Sequence, residues 1–203
     1  MVRAVVFDIG GVLEVTPDTG WMARWAEDLG LAPEGFRERI REPAYEGSRG
    51  QITLEEFVSA VREAFGLDDE QTSAFMDDLW HEHLGTLNTE LLAYFSGLRG
   101  RVRTGILSNS FVGAREREQA RYGFEDHCEV VVYSHEEGLM KPDPAFYAVV
   151  CERLDVLPEE VVFLDDVQMC VEGARAVGMT AILFENNASA IAEIEALLQS
   201  AGV

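Results

Sequence analysis

The sequence predicts an α/β protein: a parallel sheet with crossover helices, interrupted after its first strand by an all-helical insert. Three observations carry this. Ala4-Val5-Val6-Phe7 is an apolar run without alternation, as in a strand buried on both faces of a parallel sheet. Residues 15–97 read as helix almost throughout, with Gly and Pro at the breaks. From Arg101 onward strand and helix patterns alternate, the rhythm of βαβ units.

The first strand ends at Asp8, and Ile9-Gly10-Gly11 follows. Glycine permits positive φ and lets backbone approach a ligand closely. In the insert, Trp21, Met22, Trp25 and Leu29 have helical spacing and predict a helix over 18–29. Pro33 suits a helix start and opens a second over 33–40. Thr53-Leu54-Glu55-Glu56 has the form of a capping box and opens a third, through about Phe65. A fourth covers 69–83, with Phe75, Leu79 and Trp80 on one side, and a fifth covers 90–99. Beyond them, strands are expected at 102–107, 130–133, 161–164 and 180–184, and helices at 114–122, 144–154, 171–177 and 188–198.

With 203 residues and 47% apolar content the chain can bury a substantial core. Its 37 acidic and 16 basic residues leave a net charge of −21. That charge repels a nucleic-acid backbone and an anionic membrane, so neither is expected as a partner, and a phosphate ligand would need local positive charge. No stretch has transmembrane length, and the N-terminus enters a strand with no leader pattern. Cys128, Cys151 and Cys170 are odd in number and lack CxxC spacing, which suits reduced, core-packed thiols of a cytoplasmic protein. Among the 16 basic residues there is one lysine, Lys141. A compact ammonium is not interchangeable with a planar guanidinium, so its solitary use points to a site that needs a point charge.

Three of the expected strands end in polar residues: Asp8, then Ser108-Asn109-Ser110, then Asp165-Asp166. In a parallel sheet the carboxyl ends share one edge, so these groups converge. Lys141 follows the 130–133 strand and can reach the same edge. Clustered carboxylates repel one another, and a hard divalent cation with oxygen ligands relieves that. Such a set suits phosphoryl transfer, with cation and ammonium offsetting phosphate charge while one carboxylate attacks.

The four stretches Phe7-Asp8-Ile9-Gly10-Gly11-Val12-Leu13, Leu107-Ser108-Asn109, Lys141-Pro142-Asp143-Pro144 and Phe163-Leu164-Asp165-Asp166 resemble, in order, motifs I to IV of the haloacid dehalogenase superfamily. The chain is similar to its sugar-phosphatase-like and epoxide-hydrolase N-terminal-domain-like branches. The resemblance implies a three-layer Rossmann-like core (residues 1–14 and 98–203) with sheet order 5-4-1-2-3, and a helical-bundle cap (15–97). It implies Mg²⁺-dependent hydrolysis of a small phosphorylated metabolite. Asp8 would be the nucleophile and form an aspartyl-phosphate, with Lys141 and Ser108 as its catalytic partners. Mg²⁺ would be held by Asp8, the Gly10 carbonyl and Asp166, with Asp165 in or near the shell. The phosphate would be bound by Ser108, the Asn109 backbone, Gly11 and Lys141. The oligomeric state is left open.

Two positions depart from the family pattern. Gly10 stands where its phosphatases usually carry a second aspartate, the general acid, worth about 10²–10⁴-fold in rate. Glu14, a cap residue or water would then supply the proton. Cys170 stands where many relatives have Asn or Asp. The alternatives are a 2-haloacid dehalogenase, a phosphomutase, and a non-catalytic phosphate- or metal-binding protein whose turnover Gly10 has removed. Elsewhere the bland readings are preferred. His81 and His83 lie on different helix faces and make no metal site. Trp21, Trp25 and Trp80 are cap core, His135-Glu136-Glu137 a solvated loop, and Arg115, Arg117 and Arg121 a solvated helix face.

Overall fold

The structure, a computed structural model, describes residues 1–202. Five strands form one parallel sheet: β1 (Ala4–Phe7), β4 (Arg103–Ser108), β5 (Val130–Tyr133), β6 (Val161–Asp165) and β7 (Thr180–Leu183). Two further strands, β2 (Glu14–Val15) and β3 (Thr86–Leu87), pair antiparallel as a separate ribbon. The sheet order is β5-β4-β1-β6-β7, with β1 at the centre. Numbered within the sheet alone and read from the β7 edge, this is the expected 5-4-1-2-3.

All four residues of β1 are buried, and they alternate between two cores. Val5 and Phe7 belong to one, with Leu91, Leu92 and Phe95 of α5 (Thr89–Gly97), Phe124 of α7 (Phe124–His127), and Ile194 and Leu198 of α11 (Asn187–Ala201). Ala4 and Val6 belong to the other, with Phe146 and Val150 of α9 (Pro144–Leu154) and Val171 of α10 (Gln168–Ala176). These are the three layers. Phe7 stacks on Phe95 at 4.6 Å between centroids, and burying an aromatic side chain of this kind contributes about 1.5–3 kcal/mol.

Between the strands of the ribbon run α1 (Trp21–Asp28), α2 (Pro33–Ser48), α3 (Leu54–Phe65) and α4 (Asp69–Leu84). They share a third core built on Trp21, Phe36, Phe57, Phe65, Phe75 and Trp80. The box at Thr53 forms as expected: Thr53 Oγ1 accepts from Glu56 N, and Glu56 accepts from Thr53 N. Phe111 and Val112, just past β4, complete this core, so the helical unit is seated on the sheet's carboxyl edge.

Several expectations are corrected. The helix at 89–97 belongs to the sheet's core rather than to the helical insert, because Leu91, Leu92 and Phe95 pack beneath β1; the insert's own core ends at Leu84. α2 continues through Pro43 to Ser48. His135-Glu136-Glu137 lies in a short helix, α8 (Ser134–Glu137), with Glu136 bound to Arg115 and Glu137 to Arg153. Nor are the arginines of α6 (Ala114–Tyr122) simply solvated. Arg115 lies over the Tyr133 ring, and Arg117 lies 4.1 Å from the centre of the Trp80 ring, joining α6 to α4. Among the described residues no helix is long and apolar enough to cross a membrane.

Candidate active site

Parallel pairing aligns the strand ends. Val6 sits level with Gly105 and Phe163, and Phe7 with Ile106 and Leu164. The residues that follow, Asp8, Ser108-Asn109 and Asp165-Asp166, therefore emerge on one edge. The loop after α8 brings Lys141 to it, and an amide clamp fixes that loop: Asn109 Nδ2 donates to the Lys141 carbonyl at 3.0 Å, and Lys141 N donates to Asn109 Oδ1 at 2.8 Å.

The centre of the site is the ammonium of Lys141. It lies 2.8 Å from Asp8 Oδ1 and 2.7 Å from Asp165 Oδ2, with all three residues buried. Burial alone pushes a lysine pKa down; here the two carboxylates outweigh it and hold Lys141 above its ordinary value. Asp8 Oδ1 also accepts from Ile9 N at 2.7 Å. Asp165 Oδ1 accepts from Val167 N at 2.8 Å. Asp165 thus spends both oxygens on protein donors, whereas among the described residues no donor engages Asp8 Oδ2. Asp165, expected in or near the metal shell, anchors Lys141.

Asp8, Asp165 and Asp166 each bring a carboxylate oxygen within 4.8 Å of the others. Burial raises the Asp8 carboxyl to about 7 despite the pull of Lys141, and burial, then the charge of Asp165, raises Asp166. One ammonium therefore does not compensate the anions at this edge. That deficit, with Asp8 Oδ2 free and Asp166 exposed, is the environment a divalent cation fits. Asp8, the Gly10 carbonyl and Asp166 are the residues that would hold it.

Asp8, Gly10, Gly11, Asn109, Lys141 and Asp166 all line one cleft of about 330 Å³. Gly11 has φ +74°, and a Cβ there would overlap the Asp166 carboxylate; here glycine is required on both counts. Cys170 lines the cleft too, buried, with burial pushing its thiol up to about 11. Ser108 is buried at the end of β4 and is not among the lining residues. Glu14 is buried as well and lines neither this cleft nor its neighbour. Thr16 is a lining residue that sequence reasoning misses. Its Oγ1 lies 4.0 Å from where a Cβ on Gly10 would stand. No spacing signal links positions 10 and 16; the turn into the β2–β3 ribbon brings them together.

A family model of haloacid dehalogenase-like hydrolases matches residues 2–178. The chain belongs to that family. It is 31% identical over 208 residues to acyl-CoA dehydrogenase family member 10 of Mus musculus, covering 97% of this chain and 19% of that protein. It matches 38% of the bifunctional epoxide hydrolase 2 of Rattus norvegicus, at 26% identity over 95% of this chain. The chain thus spans well under half the length of these relatives. Against the D-ribitol-5-phosphate phosphatase of Bacteroides thetaiotaomicron it is 25% identical, covering 98% of this chain and 100% of that protein. Among solved structures, a haloacid dehalogenase-family enzyme of the same bacterium, in complex with magnesium and inorganic phosphate, superposes with a TM-score of 0.75. That match has 23% identity and covers 91% of this chain and 95% of the other. A 2-haloacid dehalogenase of Pseudomonas syringae pv. Tomato superposes at 0.61 with 22% identity, covering 91% and 86%. These two likenesses establish the fold.

Proposed function

We propose that the protein hydrolyses a small phosphate monoester through an aspartyl-phosphate on Asp8, with the unit between the ribbon strands (about 16–85) acting as its cap. The observation that carries this is the Lys141 ammonium fixed between Asp8 Oδ1 and Asp165 Oδ2. It engages Asp8 through Oδ1 and leaves Oδ2 without a donor among the described residues.

Bound Mg²⁺ would supply charge that neutralises the phosphoryl oxygens. In the first half-reaction Asp8 Oδ2 forms a bond to phosphorus as the ester P–O bond breaks, and the leaving oxygen departs with the electron pair. Lys141 stays protonated and offsets charge on the transferring group. Water then attacks phosphorus, inorganic phosphate leaves, and the Asp8 carboxylate returns. Asn109, clamped to the Lys141 backbone, keeps the phosphate-binding turn and the lysine in register. The cap, seated on Phe111 and Val112, covers the edge and restricts bulk water. A relative named as a phosphatase of a phosphorylated polyol, aligned over its whole length, supports the reaction class. The dehalogenase reading is less favoured, because the carboxylates of Asp8 and Asp166 suit a cation that a metal-free displacement does not use.

The test is phosphate release from p-nitrophenyl phosphate with Mg²⁺ and with EDTA, beside Asp8→Asn. The expected result is release that needs both Mg²⁺ and Asp8. Retained release in Asp8→Asn would refute the aspartyl-phosphate. No release, with Mg²⁺ still bound, would favour the non-catalytic reading.

A further inference from the structure

The leaving oxygen of an alkyl phosphate needs a proton, and Gly10 has no side chain to give one. The surroundings of Gly10 show which group can. A Cβ at position 10 would meet Thr16 Oγ1 at 4.0 Å. Thr16 in turn lies against the end of α4. Val15 pairs with Thr86 across the ribbon, and a Cβ on Gly85 would overlap the Val15 carbonyl and lie 3.2 Å from Thr16 Cα. His83 comes two residues before Gly85. Together with Thr16, and with Asn109 and Ser110 of the turn after β4, it lines a cavity of about 370 Å³ under the helical unit. His83 therefore stands on the side of Asp8 toward which a side chain at position 10 would reach.

The other side chains that exchange protons on the walls of this cavity and of the Asp8 cleft are Glu82, Asp8, Lys141, Asp166 and Cys170. Each is engaged elsewhere. Glu82 accepts from Thr19 N at 2.8 Å, Thr19 Oγ1 at 2.6 Å and Trp21 Nε1 at 3.1 Å, which fixes the start of α1. Asp8 and Lys141 are paired, Asp166 faces the cation position, and the Cys170 thiol is buried and pushed up to about 11.

The His83 ring is held without being used up. It packs edge-on against Trp80, with 5.4 Å between centroids. Its Nε2 lies 3.7 Å from Glu118 Oε1, an ion-pair distance too long for a hydrogen bond. Glu118 is buried, and its Oε2 accepts from Tyr133 Oη at 2.5 Å. The remaining charged or titratable groups around the ring are Arg117 and Arg121 of α6, Glu82 of α4 and Glu14 of β2. Arg117 lies over Trp80, Arg121 donates to the Gly85 carbonyl, and Glu14 faces Glu118. Among the described residues none of them bonds the imidazole.

On the phosphatase reading above, we propose that His83 is the general acid of the reaction and supplies the proton that position 10 does not. As the Asp8 Oδ2–P bond forms and the ester P–O bond breaks, the leaving oxygen takes the electron pair and the imidazolium proton, and His83 is left neutral. Water then attacks phosphorus and gives its proton to the imidazole as the Asp8 carboxylate departs, which restores the imidazolium. An aliphatic alcohol ionises near about 16, as water does, and needs this proton. A carboxylate leaving group, near about 4, does not.

The experiment compares kcat/KM of the Mg²⁺-loaded protein and of His83→Gln, for hexyl phosphate and acetyl phosphate, across neutral and alkaline pH. That constant covers the steps through departure of the leaving group, so it reads the first proton transfer alone. His83→Gln is expected to lose about 10²-fold or more on hexyl phosphate and less than about threefold on acetyl phosphate. In the parent, hexyl phosphate shows an alkaline limb that acetyl phosphate lacks, and the variant loses that limb. If the variant does not fold, the parent's limb alone decides. Equal losses on both esters overturn the assignment, because a residue that only seats the helical unit acts on both alike. Hexyl phosphate turned over as fast by the variant overturns it too, as does a parent without the limb or one active on acetyl phosphate alone. Each of these leaves the phosphatase reading intact. A parent that does not hydrolyse acetyl phosphate overturns the phosphatase reading itself, and this proposal with it.

Discussion

The nitrogen of Lys141 is one atom held 2.8 and 2.7 Å from two carboxylates. An arginine keeps the charge but spreads it over a planar fork that cannot place one atom between two such oxygens. Lys141→Arg is therefore expected to lower kcat by about 10²–10³-fold, the scale of losing one preorganised electrostatic contact, and kinetics on a common aryl phosphate would check it. Gly10 gives a change of the opposite sign. Its φ is ordinary, and a Cβ added there would stand 4.0 Å from the nearest heavy atom, so an aspartate fits. Placed in His83→Gln, Gly10→Asp is expected to raise kcat/KM for alkyl phosphates by up to about 10²–10⁴-fold and to leave acyl phosphates almost unchanged, since only poor leaving groups need the acid. A uniform effect on both would mean that the new carboxylate acts on the metal site instead. At this scale Asp8, Asp166 and Lys141 were legible because strand ends in a parallel sheet share an edge whatever the side-chain details. The anchoring part of Asp165 was not. It depends on which way two adjacent side chains turn at the end of β6, and spacing carries no record of that.

Among the elements, the ribbon is the one the sequence hid. β2 and β3 are two residues each and about 70 apart in the chain, far too short to show a period. β2 carries Glu14, buried with Oε1 unpartnered. It is hemmed in by Glu118 and Arg121 of α6 and, more weakly, by Asp8. Burial, then the charge of Glu118, pushes the Glu14 carboxyl up to about 9. At neutral pH it is an uncharged acid facing α6. An acid raised on folding keeps a proton that the unfolded chain, at its ordinary 4.5, has lost. Stability from this group is therefore present below about pH 4.5 and drains away as pH rises toward 9. Glu14→Gln removes the titration. Its stability relative to the parent should climb between pH 5 and 8, by at most about 1.4 kcal/mol per pH unit. Urea midpoints of both proteins at those two pH values measure it, and a constant gap would show that Glu14 is ionised in the fold. The same variant should leave the pH–rate profile of phosphate release unmoved, because Glu14 lines neither cavity.

For the whole molecule the alternation after Arg101 and the helical run before it were enough to assign a parallel sheet with a helical insert, while the layers and the sheet order followed from the family resemblance. The end of the insert was not legible, because α5 continues the helical run and only the sheet beneath Leu91, Leu92 and Phe95 decides where it packs. Net charge acts at this scale as well. At −21 the molecule repels a phosphate dianion at distances where Lys141 and one bound cation are a small correction. Within a few ångströms the order reverses, since the ammonium sits at the cleft and the excess acids are spread over the surface. Salt separates the two ranges: the screening length falls from about 30 Å at 0.01 M to about 8 Å at 0.15 M. The distant repulsion is then screened while the buried Lys141 contacts are hardly touched. With Mg²⁺ held saturating, kcat/KM for a phosphate monoester is thus expected to rise as NaCl increases from about 0.01 to 0.15 M, and KM to carry the change. A fall over that range would mean that the cationic centre, not the acidic surface, sets the field an approaching substrate meets.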